Sequence, residues 1–140
     1  MQARAEFRLL TEQSDVLVEI ADVIYRDVQQ FGKVSVLSSD RDLLDQLSDY
    51  LWQNAKQNFV TYQFIDEAIS PRVNVLLTQE LRFVKSSPAL CNINYLLDPS
   101  DLRFRQITEI VLPASETVDK ARRQYKMYRS AGLQVSHIQR

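Results

Sequence analysis

Glycine is nearly missing from this chain: Gly32 and Gly132 are the two in 140 residues. A phosphate-binding loop needs glycine at a strand-to-helix turn, because only a residue without Cβ lets the backbone close on the phosphates. Both glycines instead follow helical stretches, as C′ residues where a left-handed conformation ends a helix. The first strand-to-helix loops, Thr11-Glu12-Gln13 and Ser38-Ser39-Asp40, have neither a glycine nor the lysine of a P-loop. Nucleotide binding is therefore disfavoured and no cofactor is expected. Cysteine and histidine are scarcer still. Cys91 and His137 each stand alone, which leaves no disulfide framework and no zinc ligand set. Cys91 lies near Pro88 and Leu90 and reads as a buried, inert thiol, since reactive thiols need electropositive surroundings. His137 reads as a surface residue. Ser38-Ser39 lacks the glycine-flanked elbow that exposes a nucleophile. Asp40/Asp42 and Asp45/Asp49 read as a solvated helix face. No catalytic or metal-binding constellation is assembled.

Long apolar runs are absent too. No 18 consecutive apolar residues occur, so no membrane-spanning helix is expected. The opening Met1-Gln2-Ala3-Arg4-Ala5-Glu6 is not a secretory apolar core. With the lone cysteine, these features favour the cytoplasm. Excess charge is missing as well: 17 Lys and Arg face 18 Asp and Glu, for a formal net charge of −1. A dedicated DNA-binding domain is usually strongly basic, so any contact with DNA is expected to be indirect.

What is present is a hydrophobic fraction of 45%, enough for a sizeable core in one domain over residues 1–140. Phe7 to Leu10 reads as a strand. Ser14 reads as an N-cap before Leu17, Ile20, Ile24, Val28 and Phe31, which recur at helical spacing. Val34 to Leu37 reads as a buried strand. Ser39 or Asp40 caps a second helix with Leu43, Leu44, Leu47, Tyr50 and Leu51 on its apolar face. Phe59 to Phe64 alternates like a strand with one exposed face. Val73 to Leu77, Ile93 to Leu97, Ile110 to Leu112 and Leu133 to His137 are further strands. Thr78 to Ala89 reads as a loop or hairpin excursion, and Asp98-Pro99 as the start of a short helix ending near Phe104. Strands alternating with helices imply an α/β fold: a largely parallel sheet with helices on both faces, Rossmann-like but without a nucleotide loop.

The last helix concentrates the chain's character. Between Lys120 and Arg129 it carries five cations, no acid and two tyrosines. Ser115 reads as its cap, with Glu116 favourably placed near the positive end. At about 100° per residue, Val118, Ala121, Tyr125 and Tyr128 form a core-seeking stripe. Arg122, Lys126 and Arg129 fall about 85° around the same wheel, at the rim of the buried face. Lys120, Arg123 and Met127 point to solvent. A charge run is ordinarily a solvated surface. Cations along an apolar rim beside Tyr125 also suit an acidic peptide. Trp52, one step off the leucine stripe of its helix, suits either the edge of the core or an apolar patch shared with Phe59.

Tyr125-Lys126-x-Tyr128-Arg129-x-Ala131-Gly132 resembles the C-terminal helix of the chi subunit of bacterial DNA polymerase III. Leu51-Trp52 followed by Phe59-Val60 is similar to that family's Leu-Trp…Phe-(Val/Ile) element, and Phe7-Arg8-Leu9-Leu10 resembles its first strand. Thr61-Tyr62 and Val118 depart from the family pattern, which often has Pro-His and a further cation there. Between about Ile65 and Glu109 no specific motif is legible. The resemblance implies a non-catalytic accessory subunit of the clamp-loader assembly. Phe59 and Trp52 would dock a psi subunit and so the clamp loader. Arg122, Lys126, Tyr125, Arg129 and Lys120 would hold the acidic, Phe-ended C-terminal tail of single-stranded-DNA-binding protein, with an iron–sulfur repair helicase as a further candidate partner for the chain. Two rival readings stand beside it. One is direct single-stranded nucleic-acid binding, with Tyr125 and Tyr128 as stacking platforms. The other is a small α/β enzyme with its site in the middle stretch.

Overall fold

Seven strands form one sheet in which every recorded pairing is parallel. They are β1 (Arg4–Leu9), β2 (Val34–Ser38), β3 (Tyr62–Phe64), β4 (Val75–Thr78), β5 (Ala89–Ile93), β6 (Gln106–Val111) and β7 (Gln134–Gln139). Their order is β3-β4-β2-β5-β6-β1-β7. The computed structural model describes residues 3–54, 61–64, 73–99 and 103–140, apart from the side chains of 85 and 86. Helices α1 (Val16–Phe31), α2 (Arg41–Gln53) and α3 (Ser115–Ser130) and a 3₁₀ helix, Leu81–Ser86, connect the strands.

Central strands such as β2 and β5 are buried at every position, as a parallel sheet covered on both faces requires. On one face Ile20, Val23 and Ile24 of α1 and Leu44, Leu47 and Leu51 of α2 pack against Val34, Val36, Val75 and Ile110. On the other, Tyr128 of α3 and Val84 of the 3₁₀ helix pack with Phe7, Leu37, Leu90 and Val111. The expected α/β architecture, with helices on both faces of a parallel sheet, is what forms.

Several local expectations are corrected. Asp15, not Ser14, caps α1, accepting from the amides of Leu17 and Val18. The Ser14 hydroxyl is committed elsewhere, accepting from the Thr11 amide and donating to the Arg140 carbonyl at 2.9 Å each. Asp40 caps α2. Ala114 precedes α3 with no side-chain cap, and the nearby Thr117 hydroxyl, not Ser115, donates to the carbonyls of Leu112 and Ala114. The strand placed at Ile93–Leu97 is instead Ala89–Ile93. The stretch from Thr78 to Ala89 is neither a plain loop nor a hairpin: its 3₁₀ helix sends the fully buried Val84 into the core. Gly32 and Gly132 do end helices, at φ of 83° and 86°. The expected strand at 59–61 and the helix after Pro99 fall largely outside the described residues.

Candidate functional site

Helix α3 crosses the sheet over β6, β1 and β7, and a groove opens where it meets them. Its walls are Val118, Ala121, Arg122, Tyr125 and Lys126 from α3, Phe7 and Leu9 from β1, Val111 from β6 and His137 from β7. Its volume is about 450 Å³, within the usual range for a binding cleft. The floor is apolar. The Phe7 ring lies 5.8 Å from Tyr125 and 5.9 Å from Tyr128, tilted against both, the offset geometry aromatic pairs prefer.

The groove exists because α3 is rotated from its expected setting. Tyr128 and Gln124 are the buried residues of this helix, which shifts the centre of its buried arc by about 60° on the helical wheel toward Gln124. Val118, Ala121 and Tyr125 are left half-buried, as a groove wall rather than core. The rotation tolerates a buried amide because Gln124 is fully used. Its oxygen accepts from the Leu97 amide at 2.6 Å and its nitrogen donates to the Leu97 carbonyl at 2.8 Å. Burying an amide without such partners would be costly. Met127, expected in solvent, is half-buried for the same reason.

Beneath the groove lies a polar cluster that composition does not reveal. Glu109 of β6 accepts from the Tyr128 hydroxyl at 2.7 Å and from the Asn92 amide at 2.8 Å. Burial pushes the Glu109 carboxyl up to about 7, against the opposing effect of those donors. The same burial and the neighbouring carboxylate push the Tyr128 hydroxyl up. The Tyr128 hydroxyl is thus a structural anchor for α3, facing inward from the stripe that Tyr125 shows to the groove.

The cations of α3 divide. Arg122 and Lys126 line the groove. Arg122 is exposed, with the equally exposed Asp119 at 3.8 Å, a pair too solvated to hold it. Lys126 has no ion-pair partner among the described residues. The Arg129 guanidinium lies 5.9 Å from the Tyr125 ring centroid, behind the lining. Lys120 turns the other way, donating to the Asn94 carbonyl at 3.1 Å; it is not part of the groove. Arg123 is exposed outside the lining. His137 was missed from sequence. It enters the groove because β7 pairs with β1 in a register that sets His137 beside Phe7.

Trp52 is 74% exposed near the end of α2, on the face of the sheet opposite α3. This removes the core-edge reading. Phe59 lies outside the described residues. A second concavity, about 420 Å³, is lined by Arg4, Glu6, Arg26, Gln30, Gln106 and Gln134 among others. Arg26 there is already bonded to Glu6 at 2.7 Å and to Asp27 at 3.1 Å, so little of its charge is left for a ligand. Cys91 is fully buried and burial pushes its thiol up, as expected of an inert residue. No cluster of three His, Cys, Asp or Glu able to hold a metal occurs among the described residues, and no described helix is long and apolar enough to cross a membrane.

Comparison with known proteins adds the family. None of the curated proteins matches the chain. The family described as DNA polymerase III chi subunit, HolC, matches residues 2–136, running through the middle stretch in which no motif could be read. That span takes in the whole groove apart from His137 and every strand except the end of β7, so the chain belongs to the family of chi subunits, accessory components of the replicative DNA polymerase III.

Proposed function

We propose that this chain is a non-catalytic adaptor of the clamp-loader assembly, whose α3 groove holds the acidic, Phe-ended C-terminal tail of single-stranded-DNA-binding protein. The observation that carries the reading is the coincidence of chemistry in one groove. An apolar floor of Phe7, Leu9, Val111 and Tyr125 suits the terminal aromatic ring, and Arg122 and Lys126 stand on the same wall. The planar fork of Arg122 can hold a carboxylate with two hydrogen bonds, while Lys126 acts as a less directional charge. The same geometry disfavours a nucleic-acid reading that stacks bases on both tyrosines, because Tyr128 is fully buried.

The test is fluorescence anisotropy with an acidic peptide ending in Phe. Arg122→Ala should weaken binding roughly ten- to a hundredfold, the loss of a charge-assisted hydrogen bond of about 1.5–3 kcal/mol. Arg123→Ala, outside the groove, should change it by well under about 1 kcal/mol. Equal losses at the two positions would mean a diffuse charge effect, and the groove would have to be abandoned as the site.

The second contact of the adaptor is a psi-like partner, docked on the side of the sheet that carries α2. An exposed tryptophan is a common anchor of a protein interface. Trp52→Ala should leave the urea midpoint unchanged and weaken capture of psi and clamp loader by about 2 kcal/mol or more. Unaltered capture would remove Trp52 from the interface. With the two surfaces on opposite faces, both partners can be held at once, and each contact raises the local concentration of the other partner.

A further inference from the structure

Arg122 and Lys126 supply the charge of the groove from one wall only. The opposite wall is the edge strand β7, and the polar side chain it contributes to the lining is His137. In the β1–β7 register Ala5, Phe7 and Leu9 stand beside Val135, His137 and Gln139. Ala5, Phe7 and Val135 belong to the core under α3, which sets His137 on the same side. It is exposed, at the open flank of the groove.

We propose that His137 is a proton-dependent contact for the acidic ligand, so that a carboxylate entering the groove meets cations from both walls when the imidazole is charged and from α3 alone when it is neutral. The inference rests on the tail-binding reading and adds to it the residue that makes the affinity depend on pH. Imidazole is the side chain that changes charge within the physiological range, and a hydrogen bond to a carboxylate is stronger when its donor is charged.

The groups facing His137 are few. From α3 they are Arg122, Tyr125 and Lys126. From β1 they are the apolar Phe7 and Leu9, and from β6 Val111. Along β7, Val135 and Gln139 share its side. No carboxylate lines the groove. Of the acids on this face of the sheet, Asp119 of α3 is exposed beside Arg122 at 3.8 Å, and the Glu109 carboxylate is occupied by Tyr128 and Asn92. Arg140, the next charge along the chain, turns to Glu19 on the α1 side at 3.1 Å. Among the described residues no acid forms an ion pair with His137, so its ring is open to a ligand.

The experiment is the same anisotropy titration, at pH 5.5, 6.5 and 8.0 and constant ionic strength, with wild type, His137→Gln and Glu109→Gln. Peptide carboxylates stay ionised over most of this range. Wild type should bind roughly five- to tenfold more tightly at pH 5.5 than at 8.0, the difference between a charged and a neutral donor. His137→Gln should show a flat profile near the wild-type value at pH 8.0. Glu109→Gln should keep the wild-type slope, which separates the histidine from the buried acid, whose carboxyl is pushed up to about 7. A wild type that binds without a slope, or a slope that survives in His137→Gln, overturns the role of His137 and leaves the groove intact. A wild type that binds the peptide at no pH overturns the tail-binding reading itself, and His137 with it.

Discussion

Arg26→Met should destabilise the fold by about 3–5 kcal/mol at pH 7, the usual cost of removing one member of a buried ion pair. The reason is Asp27, which is completely buried on α1. Arg26 meets it at 3.1 Å, and its other carboxylate oxygen, Oδ2, has no hydrogen-bond partner. Arg26 also reaches Glu6 at 2.7 Å and the Thr108 hydroxyl at 2.9 Å, so the substitution opens a network that runs on through Arg8 to Asp22 and Glu19. Burial already pushes the Asp27 carboxyl up to about 6, with Arg26 opposing the rise. Without Arg26 it rises further. A carboxyl whose folded-state value is raised costs stability at high pH and loses that cost as it protonates. The deficit of Arg26→Met should therefore shrink between pH 7 and pH 5. Arg26→Met combined with Asp27→Leu should recover much of it, because apolar replacement of a whole buried pair is often neutral. Urea denaturation of the three proteins at both pH values is the check. A loss below about 1 kcal/mol for the single variant would show that solvent, not Arg26, satisfies Asp27.

Glu109 should make the wild-type fold lose about 3 kcal/mol of stability between pH 4.5 and pH 7. Its carboxyl is pushed from 4.5 up to about 7 in the folded chain. Within that window the folded state keeps a proton that the unfolded state has released, so stability falls as pH rises, and levels off above it. Asp27 contributes in the same direction up to about 6. Glu6 acts in a different window. Burial would raise its carboxyl, but hydrogen bonds and charge from Arg26 and Arg8 hold it below the usual value, so its contribution is lost only in acid, below about pH 4.5. Glu109→Gln should remove most of the slope and be more stable than wild type at pH 8. Tyr128→Phe should steepen it, because the tyrosine hydroxyl stabilises the ionised form. Denaturant midpoints at pH 5 and 8 decide the matter; equal slopes in wild type and Glu109→Gln would mean that Glu109 is ionised throughout.

Local periodicity carried much of this architecture into the sequence. The leucines of α2 and the isoleucines of α1 repeat at helical spacing because one face of each is buried. The same spacing brought Arg122, Tyr125 and Lys126 onto one side of α3, and these three do line one groove. What escaped depends on partners distant in the chain. Gln124 falls on no stripe that the sequence singles out, and its burial depends on Leu97, which supplies a backbone amide and a carbonyl for it. Lys120 falls on the solvent side of the wheel and joins the tail-binding set only through the family resemblance; Asn94, in a left-handed turn at φ 73°, holds it away from the groove with its carbonyl. His137 is a lone histidine until strand pairing sets it beside Phe7. Ser14 and Asp15 are equally good caps by type, and the choice falls to Asp15 because the Ser14 hydroxyl is taken by Thr11 and Arg140.

The placement of β1 bears on how the chain acquires its shape during synthesis. Of the seven strands, the first in chain order sits between the last two, with Arg4 opposite Gln106 on one side and Gln134 on the other. Such pairings across most of the chain are slow to form, since a long loop must close before any of them is rewarded. A nascent chain can assemble β2, β4 and β5 early, but β1 has no neighbour until β6 has left the ribosome and lacks its second until β7 follows. Its exposed apolar side, Ala5 and Phe7, is covered last. The groove floor is built on that strand, so a chain that stops before α3 and β7 cannot display it, and a ligand for the groove would distinguish a sheet with all seven strands in place from one that lacks its last.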